Sequence, residues 1–356
     1  MRLTIVTPYR HGEVTLQALR LADFASSYVE SVTVLVSGRK ARQPVHLFWD
    51  GRCRAFRGES FVRLARRTQQ WVWCGQPNLM LISAARHAQP DSRHLAWPSW
   101  GVLDPVRVRR ILRSCDELLC CSGPMYRAVA ELSRPGDRGK PELLSWVPPE
   151  PADASELSAP GCRVLVVVDT ATMRRVGEGV LYLLGTLLGE YPELSVTLLC
   201  QGTWSKRLRR PMETAQLAFG DRLETLRQQP WQRVVELLYS HHALLDLTTT
   251  PGVGVVAGEA AMRGVPVIAF ATPPREEVLE HGAQACLLQT HSRPTLLGAP
   301  RITFSVVSVL EQLRTLLAGG AIGRPGRRTR RFLREVGRCR AFWFHRWEVE
   351  LAEGGP

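Results

Sequence analysis

Lysine is scarce in this 356-residue sequence, in which Lys40, Lys140 and Lys206 are the only lysines among 46 basic residues. The 33 acidic residues leave a formal net charge of +13, so arginine carries nearly all of the excess positive charge. A basic protein is attracted to phosphate polymers and to anionic membrane surfaces. Because an arginine-rich genome gives the same composition, the charge alone leaves open whether a polyanionic partner was selected.

Four other patterns are missing. No apolar run reaches the roughly 18 residues that span a membrane, and Met1 leads directly into the strand-like LTIVT rather than into a signal peptide. The nine cysteines form no C-x-x-C pair and no Cys/His cluster at zinc spacing, which predicts reduced, buried thiols. These absences argue against a membrane-spanning protein, a disulfide scaffold and a zinc domain, and we expect a cytoplasmic globular protein.

Strand and helix patterns alternate along the chain. In the first half LTIVTP, SVTVLVSG, VHLFWD, HLAWPSW and DELLCCSG are apolar, with helices predicted near residues 15–25, 61–69 and 105–114; NLMLIS is a further apolar segment. The pattern restarts with RVLVVVD, the loop TATMRRVGEG, LSVTLLC, ALLDLTTT and VPVIAF. Such alternation predicts parallel, doubly wound sheets.

The pattern divides the chain into four parts. The stretch WVPPEPADASELSAPG loses all periodicity and indicates a linker. We therefore predict an α/β protein with two Rossmann-like domains, residues 1–148 and 162–325, joined by a linker over 149–161. A basic amphipathic helix is predicted over 326–356. The two domains would face each other across a cleft that receives ligand at the carboxyl ends of the strands.

The stretch PGVGVVAGEAAMRGVPVIAF, residues 251–270, admits two interpretations. Gly252, Gly254 and Ala257 fit the G-x-G-x-x-A dinucleotide fingerprint. A dinucleotide site also needs an acidic residue at the end of the next strand, about 20 residues further on. That strand is VPVIAF, and Glu276 and Glu277 lie beyond two prolines. The dinucleotide interpretation therefore lacks its second contact.

The whole segment resembles the donor-binding segment of the retaining GT-B glycosyltransferases of the group 1, family 4-like kind. In that family a turn with two glycines precedes E-A-x-A-x-G-x-P-V-I, and the later PREEVLEHGAQACLL also follows the family pattern. The resemblance covers residues 243–288, is weaker over 163–200, and is weakest in the first half. It implies a GT-B fold and transfer of a hexosyl or pentosyl group from a nucleotide-sugar, most often a UDP-sugar such as UDP-glucose, to a hydroxyl.

The resemblance also implies donor contacts. Glu259, expected in the first turn of a helix, would accept hydrogen bonds from the ribose diol of the donor, and backbone amides at the helix start would meet the diphosphate or the sugar. The implied donor-binding residues are Gly12, Arg174, Arg175, Thr250, Gly252, Val253, Gly254, Val255 and Glu259. The family carries a further Glu eight positions earlier, where this sequence has Pro251. Either the donor is unusual, another group replaces that sugar contact, or the site has decayed.

Catalytic roles are implied for three residues. Arg174 and Arg175 stand where the family places a Lys that stabilises the leaving diphosphate, although Asp169 stands where its Arg begins the loop. In the loop TPYRHGE, Gly12 would let the backbone approach the donor, with Arg10 and His11 adding charge or an acceptor contact. His11 is the third catalytic candidate. The family works without a metal, and the sequence has no D-x-D motif, so we expect no metal and no other cofactor.

Two acceptors and a non-catalytic alternative stay open. Double-stranded DNA carrying a hydroxymethylated base fits the arginine clusters at 52–67 and 107–113 and the interleaved tryptophans, with acceptor contacts from Arg10, Trp97 and Trp100. A lipid or cell-surface glycan fits a tail helix on an anionic membrane, with Trp343, Phe344 and Trp347 as anchors. Pro251 motivates a binding protein on a GT-B scaffold. The spread of arginine beyond the tail favours DNA.

Overall fold

The computed structural model describes residues 1–8, 13–37, 53–55, 58–100, 103–145, 162–201, 206–227, 229–249, 252, 254–279, 285–294, 300–318 and 330–347. The first half contains, in chain order, β1 (Arg2–Pro8), α1 (Glu13–Ser26), β2 (Ser31–Ser37), β3 (Cys53–Ala55), α2 (Gly58–Ala65), β4 (Gln70–Gly75), α3 (Leu79–Ala88), β5 (Arg93–Pro98), α4 (Pro105–Ser114), β6 (Glu117–Cys120), α5 (Gly123–Ala130) and β7 (Lys140–Leu143).

The second half repeats the alternation. It contains β8 (Cys162–Asp169), α6 (Thr170–Glu190), β9 (Leu194–Gln201), α7 (Arg209–Phe219), β10 (Leu223–Arg227), α8 (Trp231–Tyr239), β11 (Ala243–Asp246), α9 (Val255–Met262), β12 (Val267–Phe270), α10 (Pro273–Val278), β13 (Ala285–Leu288), β14 (His291–Pro294), β15 (Pro300–Thr303), α11 (Val306–Ala318) and α12 (Arg330–Trp347).

Each half builds one parallel sheet. The first has seven strands in the order β3-β2-β1-β4-β5-β6-β7, and the second has six in the order β10-β9-β8-β11-β12-β13. Strands β14 and β15 form a separate antiparallel pair. In both sheets the order reverses beside the first strand, and the carboxyl ends of the strands open a crevice at that point. The predicted doubly wound α/β architecture is confirmed.

Parallel sheets of this kind are buried on both faces, which explains continuous apolar strands rather than alternating ones. All six residues of β4 are buried. Helices α2 to α5 cover one face of the first sheet with a core that includes Phe61, Ile82 and Ile111. The other face shares a buried cluster with the second half, in which Phe24 of α1 belongs to the same core as Trp231 of α8.

Helix α12 crosses back onto the first half. Its apolar stripe is buried, with Trp343, Phe344 and Trp347 exposed by 0%, 5% and 5%. The ring of Phe344 lies 5.7 Å from that of Phe24 in α1, and the Trp343 ring lies 5.9 Å from that of Trp97 in β5. The three aromatic residues predicted as membrane anchors are therefore core residues of the crossing helix. No helix in the described part of the chain is long and apolar enough to cross a bilayer.

Two local differences from the sequence prediction have identifiable causes. The apolar segment NLMLIS begins a helix, α3, because the Asn78 side chain accepts hydrogen bonds from the Met80 and Leu81 amides. The predicted loop TATMRRVGEG is the start of α6, which Asp169 caps and in which Val176 has non-helical angles (φ −136°, ψ 20°). The segment VHLFWD and the linker over 149–161 lie outside the described residues.

Candidate functional site

A hydrogen-bonded connection joins two loops at the carboxyl edge of the second sheet. Asp169, the last residue of β8, accepts a hydrogen bond from the Thr172 amide at 2.6 Å and so starts α6. The Thr172 hydroxyl donates to the Leu247 carbonyl oxygen at 3.1 Å and accepts from the Thr249 amide at 3.0 Å. The start of α6, which carries Arg174 and Arg175, is therefore held against the segment that leads from β11 to the glycine turn.

The glycine turn follows directly. Gly252 is buried, and Gly254 has φ +85° immediately before Val255, the first residue of α9. A Cβ atom on Gly254 would lie 2.7 Å from the Asp246 Oδ2 atom, so the turn needs glycine both for its angles and for space. The predicted glycine-rich turn before a helix is confirmed by these positions.

A buried ion pair lies beneath this turn. The Arg275 side chain, from α10, donates to Asp246 Oδ2 at 2.9 Å and to the Thr248 hydroxyl at 2.7 Å. Both charged side chains are 1% exposed. Asp246 Oδ1 also accepts from the Thr248 amide at 2.9 Å. Its two members are 29 positions apart, so no local sequence pattern indicates the pair.

Glu259 lies deeper than expected. It stands one turn into α9 rather than in the first turn, and only 1% of the residue is exposed. Its Oε1 atom accepts a hydrogen bond from Arg263, and its Oε2 atom lies 3.6 Å from the Arg20 Nε atom of α1. Burial raises the pKa of Glu259, and the two guanidinium groups oppose that shift. Within the described part of the chain, no donor forms a hydrogen bond to Oε2.

Solved structures with this two-sheet arrangement span nearly the whole chain. HepE of Anabaena, solved with UDP-glucose, matches with a TM-score of 0.61 at 12% identity, over 98% of this chain and 96% of its own. Sucrose-phosphate synthase of Thermosynechococcus elongatus matches with a TM-score of 0.56 at 14% identity, over 98% and 96%. MnaA of S. aureus, solved with UDP, matches with a TM-score of 0.59 at 11% identity, over 98% and 97%.

The chain has the GT-B fold. No family profile and no curated protein sequence matches it. At such low sequence identity, the likeness to the solved structures establishes the fold, and function has to be argued from the residues themselves.

In this GT-B fold the carboxyl edges of the two sheets meet. The Glu277 carboxylate of α10 accepts hydrogen bonds from the Gly123 amide of α5 at 2.9 and 3.1 Å. Both helices begin at the carboxyl edge of their sheet, so the contact lies where the two halves face each other. A carboxylate at a helix N-terminus is favoured by the exposed amides and the helix dipole. The sequence held no signal for this contact, since its residues are 154 positions apart.

The remaining donor and catalytic predictions fall outside what the structure describes. Arg10, His11 and Gly12, between β1 and α1 in sequence, and Thr250, Pro251 and Val253, between β11 and α9, lie outside the described residues. The backbone of Arg174 and Arg175 belongs to α6, but their side chains are not described. Their predicted roles stay predictions. Gly75, at the end of β4, has φ +79° and packs against Pro8, so the carboxyl ends of β1 and β4 lie together.

The two predicted acceptor tryptophans are core residues. Trp97 and Trp100 are 3% and 1% exposed, so neither presents a ring face to a flipped base. Trp97 packs on Trp343 of α12 instead. The structure therefore gives no support to base stacking by these residues. This part of the acceptor prediction is corrected.

His94 of β5 is also structural. It is fully buried, and its Nδ1 atom accepts a hydrogen bond from Trp73 Nε1 at 3.1 Å. Its ring stacks on the Trp73 ring with 6.0 Å between centroids. Burial lowers the pKa of His94 from 6.5 to about 4. A neutral imidazole that accepts a hydrogen bond from an indole fits a packing role.

Proposed function

We propose that this GT-B chain is a glycosyltransferase that moves a sugar from a UDP-sugar to a hydroxyl acceptor. The observation that carries the proposal is the pair Gly252 and Gly254, which follow β11 and come immediately before α9. Open parallel sheets bind ligands at such a switch point, and helix N-termini favour phosphate. HepE solved with UDP-glucose and MnaA solved with UDP share the fold over nearly the whole chain, which supports a UDP donor.

Glu259 supports the nucleotide half of the proposal. Its Oε2 atom accepts no hydrogen bond from the described residues, although the Arg20 Nε atom lies 3.6 Å away as an ion-pair partner. A ribose hydroxyl would supply the missing donor. Arg263 already donates a hydrogen bond to the other oxygen, Oε1. We therefore propose that Oε2 alone accepts a hydrogen bond from the ribose.

The transfer step follows from the family resemblance. The acceptor oxygen forms a bond to the anomeric carbon, and the bond from that carbon to the diphosphate oxygen breaks with its electron pair going to UDP. The departing diphosphate takes the proton of the acceptor hydroxyl. We propose Arg174 or Arg175 as the group that stabilises the developing diphosphate charge. Retention of configuration and independence from a metal are further parts of the proposal. A metal chelator that abolishes transfer would contradict the latter.

Gly254 offers a sharp test of the donor site. Gly254→Ala forces a Cβ atom toward Asp246 and imposes a disfavoured φ, so we expect UDP binding measured by calorimetry to fall at least tenfold. Gly136→Ala is the matched control, since Gly136 has φ +91° with nothing within 4 Å of its Cβ position. The control variant should bind UDP like the wild type. Equal UDP binding by both variants and the wild type would show that the glycine turn does not form part of the donor site.

The acceptor needs a separate experiment. Exposed arginines remain compatible with hydroxymethylated DNA, but the tryptophan part of that hypothesis has no support. Nucleosides from hydroxymethylated DNA incubated with the protein and a mixture of UDP- and GDP-sugars would be analysed by mass spectrometry. A hexose- or pentose-sized adduct that disappears in Glu259→Ala would identify DNA as the acceptor. UDP release that depends on Glu259 without an adduct would direct the search to lipids and glycans.

A second candidate is a non-catalytic binding protein on the GT-B scaffold. Pro251 removes the family's sugar-contacting Glu, and Glu259 is already engaged by Arg263 and lies beside Arg20. Under this hypothesis UDP-sugar hydrolysis and transfer are both absent. Glu259→Ala would then leave partner binding unchanged.

A further inference from the structure

The outer surface of helices α2, α3 and α4, called the α2–α4 face below, has an unusual composition. The three helices lie side by side on the same side of the first sheet, with α3 in contact with both neighbours. They run in the same direction because each connects into the next strand of a parallel sheet. The face is therefore broad and built from three parallel helices.

Large aliphatic side chains are exposed on each of the three helices. Met80 of α3 is 82% exposed, Val106 of α4 is 58% exposed and Val62 of α2 is 45% exposed. Ala84, one turn after Met80, is also exposed. Exposed apolar groups on adjacent elements mark interaction sites more often than isolated ones do. The first two turns of the central helix thus contribute an apolar ridge formed by Met80 and Ala84, while Arg86 in its last turn pairs with Asp116.

The ridge lies between basic helices. Helix α2 and the two residues after it carry Arg63, Arg66 and Arg67 against Glu59. Helix α4 carries Arg107, Arg109, Arg110 and Arg113, and the Arg113 Nε atom lies 3.8 Å from Asp137. The Asp104 side chain caps α4 by accepting a hydrogen bond from the Arg107 amide. Arg63, Arg66 and Arg67, in and after α2, and Arg110 of α4 are all exposed.

We propose that the α2–α4 face docks on an anionic lipid bilayer. Arginines on the two outer helices would contact headgroup phosphates, while Met80 of α3 and Val106 of α4 enter the interfacial layer beside them. A duplex nucleic acid would satisfy the arginines but offers no apolar layer in which the two exposed aliphatic side chains could be buried. Lipid is therefore the partner that uses both features of the face.

The geometry relates this face to the cleft. Met80 and Val106 are the second residues of α3 and α4, so both lie at the carboxyl edge of the first sheet. The same edge faces the second half through the contact between Gly123 and Glu277. A docked protein would hold the mouth of its cleft close to the headgroup layer. The docking itself does not depend on transferase activity.

The test uses the full chain and vesicles of phosphatidylcholine with or without phosphatidylglycerol. We expect cosedimentation only with the anionic vesicles, weakened by added salt. Arg63→Gln with Arg110→Gln should weaken binding by roughly fivefold per arginine, since each charge near the surface contributes about 1 kcal/mol. Met80→Glu should weaken it by at least tenfold, because it places a like charge against the anionic lipid.

Matched controls lie on α7 of the second half. Leu217→Glu changes a residue that is 87% exposed, and Arg209→Gln removes a charge whose side chain is 78% exposed. Both should bind vesicles like the wild type. Equal losses in these controls would show attraction by net charge alone and would overturn the proposal.

Three other results would also overturn it. The folded wild type could fail to bind anionic vesicles. The Met80→Glu variant could bind as well as the wild type, which would remove the apolar ridge from the contact. Duplex DNA could bind in a manner that needs Arg63 and Arg110 but not Met80, without vesicle binding, which would assign the face to nucleic acid. Circular dichroism spectra and melting curves would establish that every variant is folded.

Discussion

The buried charges around Glu259 give the most direct test of how α1 and α9 are held together. Arg20 and Glu259 side chains are 6% and 2% exposed, with 3.6 Å between Nε and Oε2. At an effective dielectric constant of about 20, two unit charges at that distance attract by roughly 4–5 kcal/mol. Arg20→Met also removes the cost of burying the guanidinium, and Arg263 still neutralises Glu259. We therefore expect the free energy of unfolding to fall by about 2–3 kcal/mol.

The assay is a double-mutant cycle followed by urea denaturation. Glu259→Gln leaves both arginines without their buried carboxylate, so its loss should exceed that of Arg20→Met. The double variant should be more stable than the sum of the two losses predicts, by about 1–3 kcal/mol. The control cycle uses Arg2 and Glu30, a pair with side chains 48% and 56% exposed, for which we expect at most about 1 kcal/mol.

An additive cycle for Arg20 and Glu259 would refute the reasoning. It would show that the two charges do not interact in the folded protein and that α1 and α9 are joined by apolar packing alone. A coupling equal to that of the exposed control pair would mean that burial does not strengthen the interaction.

The remaining predictions concern three other contacts. Asp246→Asn leaves the Arg275 guanidinium buried without its counter-charge, and urea denaturation should show a loss of about 3–5 kcal/mol. Glu277→Ala removes the carboxylate from the N-terminus of α5 and should lower the free energy of unfolding by about 1 kcal/mol, with no change in secondary structure by circular dichroism. The pKa of His94 is lowered from 6.5 to about 4, so between these pH values only the unfolded chain binds the proton. The protein should therefore lose about 3 kcal/mol of stability as the pH falls across that window. His94→Gln should flatten the pH dependence of denaturation.

The fold followed from patterns that are local in sequence. Continuous apolar strands alternating with helices predicted two parallel sheets, and the glycines at 252 and 254 predicted the turn before α9. The apolar composition of NLMLIS left its secondary structure unassigned. The Asn78 cap makes this segment the start of a helix.

The sequence by itself determined the two-sheet α/β architecture, the glycine turn and the apolar stripe of α12, because each depends on residues a few positions apart. Only the tertiary structure decided which surface that stripe covers, and it directed Trp343 and Trp347 into the core rather than toward a membrane. It also decided that Glu259 lies beside Arg20 and that Asp246 pairs with Arg275. Burial and charge pairing depend on which distant segments pack together. The periodicity of one segment does not show which other segment it will contact.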